Sequence, residues 1–171
     1  MQHIETVTVG SGGAASITFM AVGDIPSDYT DLVLKLSLRS TESGVTTATV
    51  DLNSTAPTAR WLRGNGATAS SGTDPVLLFN GTSTTANTFS NVEVYIPNYR
   101  SSAQKSGSVD LVVESNSASS FVYQYIYALL WNVTDPVTSI TINDDYGSFV
   151  EFSSASLYGI TAGSDGIVAV S

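Results

Sequence analysis

The stretch SSFVYQYIYALLWN, Ser119 to Asn132, constrains the fold of this chain more than any other. With a period of two, one face carries Phe121, Tyr123, Tyr125, Tyr127, Leu129 and Trp131. The other carries Val122, Ile126, Ala128 and Leu130, interrupted by Gln124. No charged residue falls within it. A strand that is apolar on both faces requires cover on both. The spacing therefore predicts a central strand with a packed core on one side. The aromatic side admits three assignments: core, subunit interface or ligand platform. Buried tyrosine hydroxyls need partners, and tyrosine rows suit interfaces where one end of the ring is apolar and the other polar. Tyr123, Tyr125, Tyr127 and Trp131 are accordingly the interface candidates of this stretch.

The rest of the chain reads as further short strands. Ile4 to Val9 alternates, and Ser16 to Met20 begins a second strand before AVGDIPSDYT interrupts it. In DLVLKLSLR, Asp31 to Arg39, four leucines share one face and Asp31, Val33, Lys35, Ser37 and Arg39 share the other, mostly wet face. Thr47 to Leu52 sets Ala48, Val50 and Leu52 on one side, and ARWLRGNG is a short strand ending in a tight turn. ATASSGTD reads as a polar loop before the apolar run PVLLF. SNVEVYIPNY needs a bulge after Phe89 or a late start, and Pro97 ends its ladder. SSAQKSG reads as a turn before the alternating Val109, Leu111 and Val113. Val137 to Ile142, Phe149 to Phe152 and Ala155 to Ile160 complete the set. About ten strands at roughly 8–12-residue spacing, with no amphipathic helix, predict an all-β fold. The expected form is a two-sheet antiparallel β-sandwich, jelly-roll-like, with a closed barrel as the alternative. The expected organisation is a single β-sandwich domain over 1–160 and a Gly-rich C-terminal tail over 161–171. Within that tail Ile167, Val168 and Val170 form an apolar tip, a candidate arm for a neighbouring subunit's sheet edge.

Composition narrows the functions. Charged residues are 12% of the chain, against roughly 25% in typical domains. Solubility therefore rests on hydroxyls and amides, which suits a surface partly buried in an assembly and equally a Ser/Thr-rich extracellular-type domain. A net charge of −9, with Arg60, Arg63, Arg100 and Lys105 scattered, opposes direct nucleic-acid binding. No apolar run is long enough to cross a bilayer as a helix, and the first residues read as a strand and turn rather than a signal peptide. The chain has no cysteine, so disulfides and thiolate chemistry are excluded.

Candidate chemistry is sparse. His3, the single histidine, lies near a terminus, where catalytic rigidity is hard to hold. Glu93, Asp110 and Glu114 could supply paired carboxylates for glycoside hydrolysis, but all three oppose the expected core face. Asn143, Asp144 and Asp145, and separately Asp24, Asp28 and Asp31, offer oxygen ligands suited to calcium or, more simply, turn caps. No P-loop, GxSxG or HExxH string occurs. No catalytic, cofactor-binding or metal site is expected, and no cofactor. Trp61, Tyr99 and Tyr146 are the candidates for a ligand platform. N-x-S/T strings at Asn53, Asn80 and Asn132 are the chance product of a Ser/Thr-rich chain.

Three strings then align with a known group. IPSDYTDLVLKLSLRS (Ile25 to Ser40), TANTFSNVEVYIPNY (Thr85 to Tyr99) and SSASLYGI (Ser153 to Ile160) resemble segments of small β-sandwich structural proteins of tailed-phage virions, including capsid decoration (cement) proteins. The resemblance implies a non-enzymatic protein on the outer surface of the capsid. It implies contact with the major capsid protein and with copies of itself, as a homotrimer. It also implies that Asp31 fixes the turn entering the leucine strand, that Pro97, Asn98 and Tyr99 form an exit turn, and that Leu157, Tyr158 and Gly159 sit on the final strand. A tail-associated carbohydrate- or receptor-binding module is the alternative function.

Overall fold

The computed structural model describes residues 1–20, 25–74, 77–114 and 122–161. Within them run twelve strands: β1 (Gln2–Thr8), β2 (Ser16–Met20), β3 (Asp31–Leu38), β4 (Val45–Leu52), β5 (Thr58–Gly64), β6 (Ala69–Gly72), β7 (Leu77–Asn80), β8 (Ser90–Ile96), β9 (Lys105–Val113), β10 (Tyr123–Trp131), β11 (Ser139–Asp144) and β12 (Ser154–Ile160). They form two antiparallel sheets, an eight-stranded one in the order β1-β12-β3-β8-β9-β10-β5-β6 and a four-stranded one in the order β2-β11-β4-β7. The all-β sandwich expectation holds, and the sheets are open rather than closed into a barrel.

The order separates into a body and an extension. β1-β12-β3-β8 opposite β2-β11-β4-β7 is the strand order of a jelly roll, with the chain passing repeatedly between the two sheets. The remaining four strands enter as two hairpins, β5–β6 between β4 and β7, and β9–β10 between β8 and β11. Both hairpins add to the same edge, beyond β8. β10 is central as expected, flanked by β9 and β5 in the larger sheet, but it lies in the extension and not in the eight-stranded body.

Alternation builds the core. Leu32, Leu34, Leu36 and Leu38 of β3 are buried beside Val92, Val94 and Ile96 of β8. They join one cluster with Ile17, Phe19, Val50, Leu52, Phe79, Ile140 and Ile142 of the smaller sheet. Val33, on the face expected to be mostly wet, is also buried; Tyr95 and Tyr158 flank it in register on the outer surface. β8 takes the late start, at Ser90, and ends before Pro97. Three expectations change. Part of the polar loop ATASSGTD pairs with β5 as β6. The expected turn SSAQKSG already contains the start of β9 at Lys105. Phe149 to Phe152 is not a strand; Phe149 makes only single bridges to Ala14 and Ser40 and packs on Phe79.

Polar side chains tie loops to this frame. The Asp31 carboxylate accepts from the Asn98 N–H at 2.9 Å and the Tyr95 hydroxyl at 2.8 Å, so it joins the start of β3 to the turn after β8. The buried Arg39 guanidinium donates to the carbonyls of Thr85 and Thr88 at 3.0 and 2.9 Å, fixing the loop between β7 and β8. Lys105 is 1% exposed. Its ammonium donates to the carbonyls of Ser101 and Ala103 at 2.7 Å each and of Val133 at 3.2 Å, which gathers the loops before β9 and after β10. These contacts satisfy carbonyls that the loops would otherwise leave unpaired.

Candidate functional site

The two faces of β10 have opposite fates. Tyr125, Tyr127 and Trp131 are 1%, 3% and 0% exposed. They pair in register with Leu111, Val109 and Lys105 of β9, and they face the core. As interface candidates these three are corrected: they are interior residues and cannot meet a neighbour. Tyr123, at the start of the strand, is half-buried against the same core. Trp131 joins the two sheets directly, because its indole N–H donates to the Val50 carbonyl at 2.8 Å. Gly107 makes room for that ring, since a Cβ there would stand 2.8 Å from it. The hydroxyl of Tyr125 accepts from Arg63 at 2.9 Å. The Tyr127 hydroxyl is buried with no hydrogen-bond partner among the described residues, and desolvation pushes its pKa far above the ordinary tyrosine value.

The aliphatic face is the surface. Leu62, Ile126 and Leu130 are 49%, 55% and 43% exposed, and Val112 and Val122 are exposed beside them. Register makes the patch continuous: Leu62 is the direct partner of Ile126, and Val112 that of Gln124. All of these residues sit on or next to β9, β10 and β5, the extension strands. A groove of about 620 Å³ runs along Leu62, Val112, Val122 and Ile126. A second, of about 350 Å³, shares Val112 and Gln124 and continues over Asn91, Lys35, Glu93 and Asp110. Lys35 and Glu93 form an ion pair. Asp110 and Arg60 are exposed at opposite margins of the patch and make no ion pair among the described residues. The sequence carries this signal as a strand apolar on both sides; the aromatic side takes the core assignment, and the side turned to solvent is the aliphatic one.

The platform candidates scatter. Tyr99 is fully buried, with its hydroxyl donating to the Pro26 carbonyl, so its expected role is corrected. Tyr146 projects alone from the turn after β11. Trp61 is half-buried. It lies over Gly72 of the neighbouring strand, meets Tyr125 edge-on at 5.5 Å, and has the Arg63 guanidinium over its ring. The same guanidinium sits 4.9 Å from the Tyr123 ring. Arg63, in the sequence only one of several scattered cations, is the one that organises these aromatics. Ile167, Val168 and Val170 lie outside the described residues.

Several of the candidate acids serve structure, and Asp24 lies outside the described residues. Asp144 accepts from the N–H groups of Tyr146 and Gly147 at 3.2 and 3.0 Å and from the Ser40 hydroxyl at 2.5 Å, which makes it a turn cap. Asp145 accepts from the Thr47 hydroxyl at 2.8 Å. Glu93 and Asp110 are cross-strand neighbours on the open outer face. His3 is exposed, within 2.8 Å of the Thr6 hydroxyl. Among the described residues, no three His, Asp or Glu side chains are gathered to hold a metal ion. Compared with protein-family models, with curated proteins and with solved structures, the chain matches none.

Proposed function

We propose that this chain is a non-enzymatic structural subunit that holds protein neighbours, of the capsid-decoration type that its three strings resemble. One observation carries the reading: an exposed aliphatic face on β9, β10 and β5, the strands added to a jelly-roll body. Contiguous apolar surface of this kind marks interaction sites. A low charge density and a net charge of −9 support a protein partner over nucleic acid. The partners in this reading are the major capsid protein and copies of the chain itself, on the outer surface of the virion. Lattice binding needs little affinity per contact because contacts add through multivalency. Co-sedimentation of the purified chain with expanded phage heads tests it: binding is expected, and Ile126→Asp abolishes it. Absence of head binding, together with labelling at the tail tip, would sink the proposal.

A tail-associated carbohydrate- or receptor-binding module is the second reading, favoured by the grouping of Trp61, Arg63 and Tyr123. It requires glycan binding that is lost in Trp61→Ala. A blank response across host glycans opposes it.

A further inference from the structure

The outer face of the extension carries two charges placed so that the face complements itself. Its centre is apolar: Ile126 and Ala128 on β10, with Leu62 and Leu130 beside them. Arg60 is the cross-strand partner of Ala128 on the β5 side. Asp110 is the cross-strand partner of Ile126 on the β9 side. The two charges therefore sit on opposite sides of β10 and one two-residue step apart along it. They are diagonal across the centre of the patch, roughly 12 Å from each other by strand spacing and rise. Both are exposed, and neither is in an ion pair among the described residues.

We infer that a second copy of this chain docks on this face, in a two-fold, face-to-face pair. A two-fold axis lying between the sheets brings the same patch of both copies together. When that axis crosses the line joining Arg60 and Asp110 at right angles, each Arg60 lies over the partner's Asp110. The apolar centres then cover each other. The strands of the two sheets cross at a large angle, nearer the orthogonal than the aligned class of sheet packing. The charges fix the orientation and the aliphatic residues supply the contact. The inference rests on the reading that this face holds protein neighbours; it names the neighbour, and it puts a two-fold pair in place of the homotrimer that the resemblance implies.

Sedimentation equilibrium of the full chain over a wide concentration range tests it. The expected result is a monomer–dimer equilibrium. Ile126→Asp gives monomer with an unchanged far-UV circular dichroism spectrum and melting temperature. Arg60→Glu and Asp110→Arg, each alone, raise the dissociation constant at least about tenfold, and the two together restore it. A monomer at all concentrations, a trimer, a dimer indifferent to Ile126→Asp, or a double reversal no tighter than the single ones would each overturn the pairing. Head binding separates the two proposals. A monomer that still binds heads through Ile126 removes the pairing alone, while a dimer that ignores heads removes the capsid reading alone.

Discussion

Asp51 lies on the outer side of the smaller sheet, half-buried, with Asn143 donating to one carboxylate oxygen at 3.0 Å and the other oxygen buried without a partner among the described residues. Burial raises its pKa above the ordinary carboxylate value; the Asn143 bond opposes this and the charge of Asp145 reinforces it. The folded chain thus holds this proton more tightly than the unfolded chain does. Stability from this group is greatest on the acid side and is lost as pH rises from the ordinary carboxylate range through the raised folded value. Asp145 is raised in the same direction, chiefly by burial. Asp51→Asn keeps an acceptor for Asn143 and removes the charge. It is expected to raise the midpoint of thermal unfolding at pH 7, with the gain shrinking toward pH 4; calorimetry at the two pH values checks this. A gain of equal size at both would show that charge is not the cause.

The strand β10 carries the argument at the next scale. Its inward side anchors the extension to the body through Trp131, whose indole reaches Val50 of β4. Trp131→Phe loses that bond and some ring volume, so a loss of roughly 2–3 kcal/mol in urea unfolding is expected. The two tryptophans also report separately. With Trp61→Phe the emission of buried Trp131 should be blue-shifted; with Trp131→Phe the half-exposed Trp61 should emit further to the red. Most strands were legible in the sequence because inward and outward residues alternate, as the leucines of β3 do. β6 was not, because Ala69, Ser70, Ser71 and Gly72 carry no apolar period; its place comes from pairing with β5. The location of the surface site was half legible. A doubly apolar strand is visible in one dimension, but which side meets the smaller sheet depends on where that sheet ends. Arg63 and Trp61 meet Tyr125 only through pairing between segments far apart in the chain.

Over the whole molecule, the body is closed by pairings between remote segments, β1 with β12 and β3 with β8 and β12. Such connections require long loops to close before contacts form, so refolding is expected on the millisecond-to-second scale typical of all-β domains. Stopped-flow fluorescence measures it, and a microsecond phase carrying the full amplitude would contradict the topology. The two hairpins of the extension leave and rejoin the body through the β4–β7 and β8–β11 connections, while the eight body strands keep their own pairings. Divergence can therefore proceed at two speeds. The outward residues of the inserts are free to change under selection for a new neighbour, and the scaffold tolerates this because the inward side chains, Trp131 among them, keep the shared core. Lineages carrying this scaffold should differ most at those two connections, and exchanging the inserts between two of them should carry binding preference across with them.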